Sequence, residues 1–156
     1  MNKLNLVHTL RIFDVKRILN INENSRINTI ILETNLFDNA KRLGFVKTLI
    51  IWSNSMKYLD TLDKVHTLDI TGCKKVKNID MLHNVHTLCM NDCPKIKDVG
   101  NLKRLRVLFI SDFVNGVHLL NNLRELYIPF FLLINNKTMK MIKKLIFNNK
   151  EVKIIT

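Results

Sequence analysis

The chain has 156 residues, 47% of them apolar, and a formal charge of +12 from 25 Lys and Arg against 13 Asp and Glu. That length supports one domain with a real core, and only 4 Gly and 2 Pro argue against a loop-rich or disordered chain. No apolar run approaches the roughly 20 residues of a membrane span, and the opening MNKLNLVHTLRIFD lacks the apolar centre of a signal peptide. The 3 Cys are an odd number, which fits a reduced, cytoplasmic compartment better than a disulfide scaffold. The excess charge reads first as a lysine-rich solvated surface, and second as attraction to an acidic protein, nucleic acid or membrane surface.

In chain order, one unit recurs. It opens on an apolar anchor: Val7, Ile27, Val46, Val65, Val85, Leu105 and Leu123, spaced by 20, 19, 19, 20, 20 and 18 residues. Counting each anchor as position one, positions four and six are apolar in all seven units, from Leu10/Ile12 to Leu126/Ile128. That alternation predicts a short strand. Apolar residues then follow at steps of three, as in Val15/Ile18/Ile21, Phe37/Ala40/Leu43, Met56/Leu59/Leu62, Val76/Ile79/Leu82, Ile96/Val99/Leu102 and Val114/Val117/Leu120. A step of three fits a 3₁₀-like or extended return arm. A strand plus an arm cannot bury its apolar side alone, so neighbouring units must stack. Past the seventh unit, two readings stand. Thr138 caps a helix to about Phe147, with Met139, Ile142 and Ile146 inward and EVKII as the last strand. Alternatively, an eighth repeat is anchored at Ile142, with Leu145 and Phe147. The helix is the favoured reading, and either way residues from about 136 to 156 cap the core.

The nine residues VHTLDITGC carry a resemblance to the leucine-rich repeat, L-x-x-L-x-L-x-x-N/C-x-L. It covers about the whole chain. It implies a mostly β or α/β solenoid over 1–156, a curved array with a concave parallel sheet of about eight short strands. Position nine reads Asn35, Asn54, Cys73 and Cys93. In that family the residue turns inward and bonds backbone groups of the turn. Val15, Phe113 and Phe131 depart from the pattern, so the ladder is expected to fail at both ends. The phrase LHNVHTLCMNDCPKIKDVGNL looks like the short cysteine-bearing repeats of large DNA viruses, of the giant-virus and insect-poxvirus kinds. Such repeats also occur in F-box substrate adaptors. Here repeat one starts at about Leu4, so no F-box-like segment is expected ahead of it. The resemblance implies a viral protein whose partner is a host protein, or a subunit that carries an effector domain.

The recurring histidines and cysteines invite a metal or thiol reading. Position two, however, holds His8, Asn28, Lys47, His66, His86, Arg106 and Arg124, a polar slot rather than a ligand set. His66 and His86 should be neighbours, but no third ligand shares their column, so no metal and no cofactor is expected. Cys73 and Cys93 read as structural. Cys89 faces outward at position five with no base placed beside it, and Asp69 and Asp92 read as solvated acids. No phosphate loop, G-x-S-x-G or H-E-x-x-H occurs, so no enzyme is expected.

Function is instead expected on the sheet face, where positions three, five, seven and eight should point outward. Large apolar residues there fall in two groups, Ile31/Ile50/Trp52 and Phe109/Tyr127/Pro129/Phe130, separated by Asp69, Thr71, Asn91 and Asp92. With Arg106 and Arg124 beside the second group, the pattern suits a protein-binding hot spot. The expected contact residues are Ile50, Trp52, Arg106, Phe109, Arg124, Tyr127 and Phe130. The second reading is nucleic acid or another acidic surface at the C-terminal end. Residues 137–153 there carry six Lys against Glu151. Lys140, Lys143 and Lys144 are the candidate phosphate contacts. That segment is expected to lack exposed aromatics for base stacking.

Overall fold

The computed structural model describes residues 8–13, 26–35, 43–59, 62 and 64–156. The anchor Val7 and the arm residues Val15, Ile18, Ile21, Phe37 and Ala40 lie outside the described residues. Eight strands form one parallel sheet in simple chain order. They are β1 (Thr9–Ile12), β2 (Thr29–Leu32), β3 (Thr48–Ile51), β4 (Thr67–Asp69), β5 (Thr87–Cys89), β6 (Val107–Phe109), β7 (Glu125–Tyr127) and β8 (Lys153–Ile155). The protein is a solenoid of stacked turns.

Register follows the repeat residue for residue: Leu49 pairs with Leu68, Leu68 with Leu88, and Leu88 with Leu108. One device sets it at each junction from β1 to β7. The position-two carbonyl accepts two amides from the next turn. His66 O, for example, takes N–H bonds from His86 at 2.8 Å and Thr87 at 3.0 Å. Position four is fully buried from Ile30 to Leu126, because alternate strand residues face one side and that side is closed by the arms.

The arms explain the step of three. Many inward amides bond the carbonyl of the inward residue before them. Cys73 N bonds Ile70 O at 2.9 Å, and Val76 N bonds Cys73 O at 3.2 Å. Leu82 N bonds Ile79 O at 3.0 Å, and Val85 N bonds Leu82 O at 3.3 Å. The chain thus turns by i-to-i−3 bonds that also satisfy buried backbone groups. Among the described residues, one complete 3₁₀ turn is formed, Val117–Leu119.

The inward slot after the strand needs a correction. Cys73 and Cys93 occupy it, and their thiols donate to Ile51 O at 3.3 Å and Ile70 O at 3.0 Å. Asn35 and Asn54 do not. Both are exposed, and the buried residues of their turns are Thr34 and Ser53, one position earlier. The cause is turn length. In the 20-residue turns that open at Val65 and Val85, position eight is left-handed, with Gly72 at φ 78° and Asp92 at φ 54°. The 19-residue turns lack that residue, so position eight itself turns in. Displaced outward, the Asn35 side chain accepts from Asn54 N at 2.7 Å, a rung-to-rung bond of a different kind. Phe113 is half-buried against the core, while Phe131 is exposed on a helix and fills no slot.

The C-terminal segment is helical. A single turn α1 (Phe130–Leu133) leads into α2 (Asn136–Asn148), and β8 then pairs with β7. No eighth repeat forms at Ile142, since Ile142, Leu145 and Phe147 all lie in α2. The cap is not Thr138. Asn135 is the N-cap, its side chain accepting from Lys137 N at 2.8 Å. Starting the helix three residues earlier places Thr138, Met141, Ile142 and Leu145 inward. Met139 and Ile146, expected inward, are exposed.

Candidate partner-binding face

Along the outer face of the sheet, strand pairing stacks position five into one column. It runs Arg11, Ile31, Ile50, Asp69, Cys89, Phe109, Tyr127 and, through β8, Ile155. The N-terminal end is polar, where Arg11 pairs with Glu33 at 2.9 Å. Ile31 and Ile50 are half-buried, and Trp52 is 46% exposed beside them. The middle is a hydrogen-bonded patch. Asp69 accepts from Thr71 N at 2.9 Å, and Cys89 Sγ lies 3.2 Å from Thr71 Oγ1 and 3.5 Å from Asn91 Nδ2. Asp92, exposed, pairs with Lys74 at 3.2 Å.

At the C-terminal end, Phe109 and Tyr127 stack with ring centroids 4.0 Å apart and an angle of 11°. The Tyr127 hydroxyl donates to Glu125 at 3.0 Å, which raises its pKa and keeps the phenol neutral. The pair forms the floor of an open groove of about 420 Å³, with Pro129, Ile155 and Thr156 on the far side and Asn91 and Ser111 on the near side. That size suits a buried side-chain anchor.

The expected contact residues do not all meet here. Phe130 starts α1, 70% exposed, and does not line the groove. Arg106 and Arg124 are exposed at position two, three residues before Phe109 and Tyr127, or about 10 Å along the strand at roughly 3.3 Å per residue. They form a basic rim at the opposite strand end rather than a stacking partner for the rings. Ile50 and Trp52 make a separate group on the other side of the polar patch. Ile155, unrecognised in the sequence, joins the groove. The signal was available in EVKII, whose alternation continues the column if its register is carried over from β7.

The histidines and thiols show no reactive arrangement. His66 and His86 have ring centroids 4.9 Å apart. Burial, then the His66, Arg106 and Arg104 charges, hold His86 below the ordinary imidazole pKa. Among the described residues, no group of three or more His, Cys, Asp or Glu could hold a metal ion. Added zinc is therefore expected to leave the melting temperature unchanged; stoichiometric zinc in protein purified without added metal would overturn this.

Burial pushes Cys73 up to about 11 and Cys93 up to about 12, and raises Cys89 as well. An unfolded thiol ionises near 9. The stabilisation from keeping Cys73 and Cys93 neutral is complete below that pH. It is lost as pH climbs toward 11 and 12, because the unfolded chain releases its protons first. The urea midpoint should therefore fall progressively above pH 9. In the native protein, iodoacetamide should label half-buried Cys89 before either buried thiol, read by peptide mass spectrometry. Early labelling of Cys93 would show that its turn opens.

At the C-terminal end, Lys140 and Lys144 line a cavity of about 190 Å³ with Phe113, His118 and Lys137, whose ammonium sits 4.1 Å from the Phe113 ring centre. Lys143 is exposed elsewhere on α2. The expected lack of exposed aromatics is wrong for this segment, since Phe147 is 84% exposed among the same lysines. No helix among the described residues is long and apolar enough to cross a membrane. No protein-family model matches the chain, and no curated protein shows significant similarity to it.

Proposed function

We propose that this solenoid is a non-enzymatic protein-binding module that takes a side-chain anchor of its partner into the groove at the C-terminal end of the sheet. The observation that carries the reading is the stacked Phe109–Tyr127 pair, half-buried and open to solvent beside Pro129 and Ile155. Rigid aromatics in a partly desolvated recess are what interface hot spots are made of. Arg106 and Arg124 act at the rim, where charge sets association rate more than affinity. On the leucine-rich-repeat and viral resemblance, the partner is a host protein met in the cytoplasm.

The test is capture of a purified candidate partner at low and high salt. Binding through the aromatic groove should persist at high salt and be lost on Tyr127→Ala. The second reading is phosphate binding at α2, favoured by Phe147 standing among Lys140, Lys143 and Lys144. Binding of that kind should collapse with salt and with neutralisation of those lysines, and should ignore Tyr127.

A further inference from the structure

The return arms carry a second charged site that the strand-centred repeat reading leaves out. The segments KKVKN and PKIKD place lysines on both sides of the buried residues Val76 and Ile96, and Lys57 follows the buried Met56 in the turn before. Because the arm residues between are buried, their neighbours on either side must point out. Stacking turns about 4.8 Å apart then builds two lysine columns. The result is a recess of about 340 Å³ lined by Lys57, Tyr58, Lys75, Lys77, Asn78 and Lys95. Four of its six lining residues are cationic and none is acidic. Tyr58 is 53% exposed.

The described acids of the same turns are engaged elsewhere. Asp80 accepts from Asn101 at 2.9 Å, and Asp98 holds its own turn by accepting from Gly100 N at 2.7 Å. Asp92 is paired with Lys74, which is outside the recess. Among the described residues, none of the four lining lysines forms an ion pair. Among the described residues, four cations thus share one concavity with an open aromatic ring and no acidic lining residue.

We propose that this recess binds single-stranded nucleic acid, with backbone phosphates on Lys57, Lys75, Lys77 and Lys95 and one base stacked on Tyr58. Each part answers a separate requirement. Ammonium groups on flexible stems follow a phosphate chain without fixing its sequence. An exposed ring accepts the face of any base. The Asn78 side-chain oxygen accepts from Asp80 N at 2.7 Å, which holds this side chain in the wall. The site is therefore sequence-tolerant. It is separate from the sheet-face groove and does not depend on that reading.

The experiment is fluorescence anisotropy of a labelled oligothymidylate with the whole chain, over a salt series. For single strands, log affinity falls with log salt at about 0.7 per phosphate neutralised, so four contacts give a slope near ~3. The triple change Lys75→Gln, Lys77→Gln, Lys95→Gln should weaken binding at least tenfold and reduce the slope by about 2. Tyr58→Ala should weaken it by about tenfold, while Tyr58→Phe should keep it. All these side chains are exposed, and unchanged melting temperatures check that the fold is intact. A matched triple on α2, Lys140→Gln, Lys143→Gln, Lys144→Gln, removes the same charge. Equal weakening by both triples would mean net charge alone is being measured and would overturn the site. Loss only with the α2 triple would move binding to that helix and also overturn it. So would wild-type protein that leaves the probe free. Competition by polyglutamate as strong as by unlabelled oligonucleotide, with Tyr58→Ala without effect, would assign the recess to an acidic protein instead.

Discussion

Gly116→Ala lowers stability by about 3 kcal/mol or more, the largest effect expected of any single methyl group added to this chain. Two costs combine. Gly116 sits at φ 79°, and a side chain in that left-handed region costs roughly 1–2 kcal/mol. The added carbon would also stand 2.4 Å from Gly100 N, 2.7 Å from Gly100 Cα and 2.5 Å from Asp98 Oδ1. Those atoms belong to the neighbouring turn, which Asp98 holds by its bond to Gly100 N. Backbone cannot rotate away as a side-chain tip can, so the two arms must separate. Gly72 is the built-in control. Its φ is 78°, but an added carbon there meets nothing within 4 Å. Gly72→Ala should cost only the backbone term, about 1 kcal/mol. For a chain of this length 1 kcal/mol is worth about 2–4 °C. Thermal unfolding of both variants separates the costs: equal losses would sink the claim that the arms touch through Gly116 and Gly100.

Phe109→Ala and Tyr127→Ala are each expected to weaken the sheet-face partner about thirtyfold, on the order of 2 kcal/mol. Because the rings stack on each other, the double variant should lose less than the sum. Stability should move little. Both residues belong to the outer column, and the lost stack is worth about 1 kcal/mol. Arg124→Ala, at the far end of the strand, should slow association and change the salt dependence while costing under about 1 kcal/mol of affinity. Measuring partner affinity and melting temperature on the same variants decides the matter. A large drop in melting temperature with unchanged affinity would make the pair a structural staple and end its candidacy as a contact surface.

The solenoid was legible in the sequence because its cause is periodic. Leu49, Leu68, Leu88 and Leu108 repeat the same demand for burial, and each turn confirms the last. What escaped was set by single residues. The shift of the inward slot from position nine to Thr34 and Ser53 follows from one missing left-handed residue, which a count of 19 against 20 signals but does not locate. The face of α2 was misassigned because Asn135 and Thr138 both satisfy the rule for an N-cap, and only burial decides between them. Of the candidate site, the Phe109–Tyr127 column could be read from strand alternation. The distance to Arg106 and Arg124 could have been read from it too, since positions two and five lie three residues apart on one strand. The recess around Tyr58 was harder, because it needs the two faces of an arm that belongs to no regular element.

The paired amides on the position-two carbonyls from His8 to Arg106 have a consequence for how such a chain can change its size. Each junction is cut to the same pattern, so no turn in the middle is special to its neighbours. If one complete unit were excised, the strands on either side would meet with matching donors and acceptors. Loss or duplication of a partial unit would instead leave inward leucines facing outward. Length in this protein is therefore quantised. Inheritance can add or drop whole turns and leave the sheet intact, and even α2, which replaces an arm, is followed by β8 in the same parallel register.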